Sequence, residues 1–293
     1  MQKESLTLKY PWLRRINSVE DYLPPEYYSN LLQPYTFGGV TDLQLLECFL
    51  AGKSFSNALE LGCGSGRASS AVVGIAPNTV YTFSDLSARM LASAESTLPQ
   101  EASFIVSDAV EFMERATDTY DLVYTLWSFS HSTHQHFHKL GMKGAENYIS
   151  TVITNFVEKC IEKNGSFFLV HFDSLSDEQR ILMRQWKRAF KTFTNIDCQS
   201  PSKLVIDKTL LDLDNRGIIR LSVQHLQGDP IKYKSENVLL ETFMNFHLET
   251  YFNSLPIVEE VLNDIKEQAT PYRQSDGTYA ITPGCYVYSF SKK

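Results

Sequence analysis

The sequence predicts an α/β fold, a doubly wound and mostly parallel sheet covered by helices on both faces. Three observations predict it. Between residues 57 and 173, five short apolar runs alternate with four helical stretches. The runs are β-rich and nearly unbroken, as strands buried on both faces must be. A glycine-rich turn, Gly62-Cys63-Gly64-Ser65-Gly66, joins the first run to the first helix, and open α/β sheets bind ligands at such carboxyl ends.

The strand candidates are Ala58–Leu61, Val80–Ser84, Ser103–Ser107, Leu122–Leu126 and Ser166–Phe172, with helices near 66–75, 87–97, 109–116 and 144–163. Ahead of them, residues 1–36 are rich in aromatics (Tyr10, Trp12, Tyr22, Tyr27, Tyr28, Tyr35) and broken by Pro11, Pro24, Pro25 and Pro34. Such a segment packs onto a neighbouring core rather than forming its own. Residues 42–51 read as a helix with Asp42 as N-cap and Gly52 as stop. After 173 the alternation becomes irregular. An amphipathic helix over 177–193 carries Leu182, Trp186, Ala189, Phe190 and Phe193 on one side and Arg180, Arg184, Lys187, Arg188 and Lys191 on the other, the basic side reading as a solvated face. Helices near 202–215, 235–250 and 255–268 and strands at 218–226 and 279–290 complete the chain, the last strand returning to the same sheet.

Length and charge narrow the function. The 293 residues carry 27 Lys+Arg against 34 Asp+Glu, a net −7. That balance argues against a partner gripped through many phosphates, so no nucleic acid is expected. No apolar run approaches the roughly 18–20 residues that span a bilayer, and no secretory leader is visible, so the expected setting is cytoplasmic, with no membrane contact, as monomer or homodimer. Cys48, Cys63, Cys160, Cys198 and Cys285 are scattered and odd in number, which gives little support to a disulfide framework or a cysteine zinc site.

The chemistry concentrates at three strand ends. Glycines at 62, 64 and 66, with Glu60 before them and Arg67 after, depart from the diphosphate-binding spacing, which puts its third glycine at position 67. They suit a nucleoside ligand without a diphosphate. Asp85 ends the second strand, where a carboxylate accepts hydrogen bonds from both ribose hydroxyls; capping the next helix is its other role, which Ser87 fills equally well. Asp108 ends the third strand and is placed to accept from an exocyclic adenine amine.

Glu60-Leu-Gly62-Cys-Gly64-Ser-Gly66, Asp85-Leu-Ser-Ala-Arg-Met90-Leu91, Ser107-Asp108-Ala109 and Tyr120-Asp121-Leu-Val-Tyr resemble motifs of class I S-adenosylmethionine-dependent methyltransferases, over roughly residues 56–173. The resemblance implies a Rossmann-like, seven-stranded sheet and S-adenosylmethionine as cofactor, with S-adenosylhomocysteine as product. It implies Gly62, Gly64 and Gly66 beside the methionine moiety, Asp85 on the ribose, Leu86 and Ala109 along the adenine, Asp108 at its amino group, and Leu126 near the methionine part, with Glu60 and Met90 as further cofactor-binding residues. The C-terminal part is similar in topology to histamine N-methyltransferase-like proteins. On this reading residues 1–55 are a helical lid, 56–175 the cofactor-binding core, and 176–293 a substrate lid with the closing strands of the same sheet.

Methyl transfer needs an in-line acceptor with a free lone pair, so positioning supplies most of the rate, and an amine or hydroxyl acceptor gains from a general base. Four of the seven histidines, His131, His134, His136 and His138, fall within eight residues after the fourth strand. His131 is the first choice for base or substrate contact and His171 the second, with His134 and Trp127 as further substrate contacts. His131, His134 and His138 share a helical face, which also admits a metal reading. No carboxylate stands among them, and no metal is expected. Tyr28 and Tyr35, with Tyr27 and Phe37, suit an aromatic lid that excludes water and holds cationic amines. The expected activity is methylation of a nitrogen or oxygen on a small molecule. Its rivals are a protein or RNA methyltransferase and a non-catalytic cofactor-binding regulator.

Overall fold

The computed structural model describes residues 2–15, 32–189, 199–248 and 250–293. Its centre is a seven-stranded sheet of β1 (Asn57–Leu61), β2 (Val80–Asp85), β3 (Ser103–Val106), β4 (Tyr120–Leu126), β5 (Ile161–Phe172), β6 (Ile219–Gln227) and β7 (Gly284–Lys292). The spatial order is β3-β2-β1-β4-β5-β7-β6. The first five strands run parallel. β7 is antiparallel to both β5 and β6, so the chain's last strand returns to the sheet, as the sequence predicts. The order reverses between β1 and β4, and the crevice over their carboxyl ends is the topological switch point where such sheets take ligands.

Side-chain alternation divides the core in two. Ala58, Leu122, Tyr124, Phe168 and Val170 point to one face, and Leu59, Leu61, Val123, Phe167 and Leu169 to the other. Helices α1 (Gln2–Lys9), α2 (Asp42–Leu50), α3 (Arg67–Ile75), α4 (Ala88–Glu95), α5 (Ala109–Arg115), α6 (Phe129–Cys160), α7 (Asp177–Ala189), α8 (Pro201–Asn215), α9 (Glu236–Thr242) and α10 (Val258–Ala269) surround the sheet. Val72, Leu91 and Val261 cover the first face with Tyr10, Trp12 and Tyr35 of the N-terminal segment. Val110, Ile149, Phe156, Val205 and Leu210 cover the second. The N-terminal aromatics thus pack on the shared core. Trp12 Nε1 donates to Asn237 Oδ1 at 3.2 Å, and Asn253 Nδ2 donates to the Arg15 carbonyl at 2.9 Å. Tyr22, Tyr27 and Tyr28 lie outside the described residues.

Several boundaries differ from the predicted ones, each for a physical reason. The fourth helix starts at Phe129 rather than near 144 and takes in the histidine segment. Gly141 interrupts it at φ 70°, ψ 172°, a backbone that only glycine takes readily. Thr41, not Asp42, caps α2: its hydroxyl accepts from Gln44 N, and the Gln44 side chain accepts from Thr41 N, a capping box. The helix predicted over 235–250 ends as α at Thr242 and continues as one π turn, Phe243–His247. The predicted strand 279–290 is two strands. Tyr279–Ile281 pairs with Ile231–Tyr233, and β7 follows after Pro283. The basic side of α7 is solvated as predicted, with Arg180, Lys187 and Arg188 exposed, and Arg184 and Arg188 pair there with Asp264 of α10, at 3.1 and 3.2 Å.

Candidate active site

The glycine turn leaves β1 with three left-handed residues, Gly62, Gly64 and Gly66, at φ 72°, 56° and 90°. Gly62 N and Cys63 N both donate to the Ser84 carbonyl, at 2.8 and 2.9 Å, which pulls the turn onto β2. A Cβ on Gly62 would stand 2.1 Å from Ser128 Oγ. Ser128 in turn donates to the Leu61 carbonyl at 2.9 Å. The turn is thereby fitted between β2 and the start of α6, and no larger residue fits at 62.

Asp85 closes β2 beside it. One oxygen accepts from Gly64 N and the other from Ser87 N, both at 2.8 Å. Burial raises its pKa, and these two amide bonds oppose the rise. Asp108 follows β3 and caps α5. Its Oδ1 accepts from Val110 N (2.9 Å), Glu111 N (3.2 Å), Ser132 Oγ (2.8 Å) and His136 Nε2 (3.1 Å). Burial disfavours its charge, yet the His136, Ser132 and Glu111 bonds outweigh burial and hold the carboxyl below its usual range.

These groups face a cavity of about 520 Å³ over the carboxyl ends of β1 to β5. Gly62, Gly64, Asp85, Leu86, Met90, Asp108 and Ala109 line one part of it, and Tyr35, His131, His134 and His171 also line it. Glu60, Gly66, Leu126 and Trp127 do not. Glu60 is 2% exposed and accepts from Ser69 Oγ at 2.5 Å; burial drives its carboxyl up to about 7. A Cβ on Gly66 would pack on Leu98 and Ala94, at 3.2 and 3.4 Å. Leu126 belongs to the core. Trp127 takes φ 68° and is 1% exposed. Its Nε1 donates to Asp42 Oδ2 at 2.6 Å, and its ring meets Phe172 at 4.6 Å. Asp42 also accepts from both terminal guanidinium nitrogens of Arg67, so Arg67 supplies the counter-charge and Trp127 a further hydrogen bond to a carboxylate that is 1% exposed. Tyr28 lies outside the described residues.

The histidines divide by their partners. His171 Nδ1 lies 2.7 Å from the Phe172 carbonyl, and Nε2 lies 2.9 Å from Ser202 Oγ. A carbonyl only accepts, so Nδ1 carries the proton and Nε2 accepts from the serine. With both nitrogens engaged and burial depressing its pKa to about 4, His171 is a fixed neutral wall of the cavity. Burial, then the neighbouring His131 and His171, depress His134 to about 3. His136 turns to Asp108, while His131, His134 and His138 line the cavity together. Among the described residues no group of three or more His, Cys, Asp or Glu side chains is arranged to hold a metal ion.

Sequence reasoning missed the opposite wall: Gln179, Leu182 and Trp186 of α7, and Phe246, His247 and Tyr251 around the π turn. Only the apolar side of α7 gave a signal.

Acid, apolar wall and acid, in the order Asp85, then Leu86, Met90 and Ala109, then Asp108, fit a ribose diol, an adenine ring and its amino group. Residues 58–143 match the family model described as a methyltransferase domain. No curated protein matches the chain. Among solved structures it is similar to the YcgJ protein from Bacillus subtilis, at 11% identity over 86% of this chain and 97% of that one, with a TM-score of 0.52. It is also similar to an S-adenosylmethionine-dependent methyltransferase from Thiobacillus denitrificans in complex with S-adenosylhomocysteine (13% identity, 93% of this chain and 100% of that one, TM-score 0.48). A third neighbour is the N-methyltransferase NodS from Bradyrhizobium japonicum (15%, 85% and 92%, 0.43). Residues 58–143 thus match a methyltransferase domain, and the sheet that carries them has the seven-stranded, mostly parallel Rossmann-like fold expected from the sequence. The histamine N-methyltransferase likeness of the C-terminal part is not among these findings. No helix among the described residues is long and apolar enough to cross a membrane.

Proposed function

We propose that this protein transfers a methyl group from S-adenosylmethionine to a nitrogen or oxygen of a small-molecule acceptor. The observation that carries the reading is a single cavity walled on one part by the glycine turn, Asp85 and Asp108, and on another by histidines and aromatics. The chemistry the cofactor supplies is a sulfonium-activated methyl group, with S-adenosylhomocysteine as product. Gly62 and Gly64 hold its methionine part, Asp85 its ribose, Leu86, Met90 and Ala109 its adenine, and Asp108 the amino group. His131 contacts the acceptor and takes its proton, the role that His171 is too fully engaged to fill. Residues 1–55 and those after 175 act as the lid over the 56–175 core. Tyr35, Leu182, Trp186 and Phe246 keep water from the reacting atoms.

Two features favour a small acceptor over a macromolecule. The N-terminal segment, α7 and the π turn contribute walls to the cavity, which favours a ligand that enters it, and the net charge of −7 disfavours polyanions.

Calorimetric titration with S-adenosylmethionine, S-adenosylhomocysteine and NAD tests the reading. The first two bind and NAD does not; failure of both in folded protein overturns it. Asp85→Ala weakens S-adenosylhomocysteine binding by about 1–3 kcal/mol through lost hydrogen bonds, and unchanged affinity refutes the ribose anchor. His131→Ala lowers turnover more than cofactor affinity. A loss confined to cofactor binding removes its acceptor-side role.

A further inference from the structure

One wall of the cavity conceals a carboxylate that the proposed chemistry leaves unused. Glu178, in the first turn of α7, has no exposed surface. Its Oε1 accepts the Tyr35 hydroxyl at 2.6 Å, and its Oε2 accepts the Gln179 amide at 3.4 Å. Both donors are neutral. Among the described residues no lysine or arginine pairs with it. Its basic neighbour among the described residues is His247, whose Nε2 stands 3.6 Å from Oε1, beyond hydrogen-bonding distance.

A buried carboxylate without a cation is costly, and pairing with a cation of good geometry repays that cost. His247 does not supply it at neutral pH, since burial holds its pKa below the usual range against the pull of Glu178. The His247 side chain is 6% exposed, and its Nε2 is buried without a hydrogen-bond partner. Tyr35, Gln179 and His247 all line the cavity, next to Trp186, Phe246 and Tyr251. The Trp186 and Tyr251 rings lie 5.5 Å apart, and aromatic faces attract cations. An aromatic corner, a ring nitrogen without a hydrogen-bond partner and a buried carboxyl without a lysine or arginine partner therefore coincide on one wall.

We propose that this corner is the recognition site for the acceptor, and that it takes the protonated amine of a compound with an apolar or aromatic body. The proposal rests on the methyltransferase reading, which makes this cavity an acceptor pocket. The ammonium donates to His247 Nε2 and stands in the field of Glu178, while the body packs on Trp186 and Phe246. A carboxylic acid of the same shape would set a second negative charge against a buried carboxylate, and an alcohol would leave that carboxylate without its cation.

Calorimetry near neutral pH with three probes of one shape, 2-phenylethylamine, 2-phenylethanol and 3-phenylpropionic acid, tests this on the full chain, with and without S-adenosylhomocysteine. The amine binds about tenfold or more tighter than the other two, a difference of about 1.4 kcal/mol. Glu178→Gln abolishes the preference and leaves S-adenosylhomocysteine affinity unchanged. His247→Phe keeps an aromatic ring but removes Nε2 and lowers amine affinity several-fold, which provides a second test should the Glu178 variant fold poorly. Equal binding of the probes, preference for the acid, or an amine preference that survives both substitutions overturns the proposal. Amine selectivity without S-adenosylhomocysteine binding overturns the methyltransferase reading alone; cofactor binding without amine selectivity overturns this proposal alone.

Discussion

At Gly62 two constraints act on one atom. The backbone sits at φ 72°, and an added Cβ would lie 2.1 Å from Ser128 Oγ and 2.4 Å from Ser128 Cβ. Gly62→Ala therefore combines left-handed strain with overpacking, and costs about 2–4 kcal/mol in urea unfolding. Removing the obstacle with Ser128→Gly relieves the steric part and leaves the strain, so the two substitutions couple by about 1–3 kcal/mol in a double-mutant cycle. Strictly additive effects would refute the clash. This glycine was legible because strand, turn and helix follow one another within ten residues, and Asp85 and Asp108 were legible because strand ends are readable from local pattern. Trp127 was not. Its residue type suits a ligand pocket, but its ring is claimed by Asp42, 85 positions earlier. The Tyr35–Glu178 bond spans 143 positions. No spacing rule reaches that far.

Helix α6 carries the histidines and contains two glycines with opposite roles. Gly141 breaks it at φ 70°, ψ 172°, and nothing lies within 4 Å of where its Cβ would go. Gly144, three residues on, is helical, and its Cβ would meet only Leu140 Cβ at 3.4 Å, an ordinary contact. Gly141→Ala therefore destabilises by about 1–3 kcal/mol through the backbone alone. Gly144→Ala stabilises by about 0.5–1 kcal/mol through helix propensity. Chemical denaturation of the two variants checks the signs, and a stabilising Gly141→Ala would mean that the break carries no strain. At this scale the sequence was readable where apolar period and strand length agree, as in β1 to β5. It was not readable where a neighbour decides. Asp264 of α10 draws Arg184 and Arg188 into ion pairs, and the segment after Thr242 widens into a π turn beside the cavity, the kind of irregularity that often marks a working site.

Across the whole molecule, burial sets the protonation of the site and thereby its response to pH. The His171 pKa is near 4 in the fold against an ordinary 6.5, so the unfolded chain binds a proton that the native state refuses. Its contribution is full above 6.5 and is lost as pH falls toward 4, by roughly 3 kcal/mol. His134 and His247 shift in the same direction. Glu60 runs the other way. Its carboxyl titrates near 7 in the fold against an ordinary 4.5, so the native state keeps a proton that the unfolded chain releases, and stability declines as pH rises from 4.5 to 7. The opposing slopes overlap between pH 4.5 and 6.5, and above 6.5 the Glu60 decline continues alone among these groups to about pH 7. Glu60→Gln, an isostere that can still accept from Ser69, isolates the contribution of Glu60. Because it never ionises, its stability relative to the parent grows with pH between 4.5 and 7, by roughly 3 kcal/mol in all, and is constant above. Urea midpoints for both proteins at a series of pH values measure this difference directly. A gap that does not change with pH would mean that Glu60 ionises in the fold as freely as in water, and that β1 carries a full charge beneath the glycine turn at every working pH.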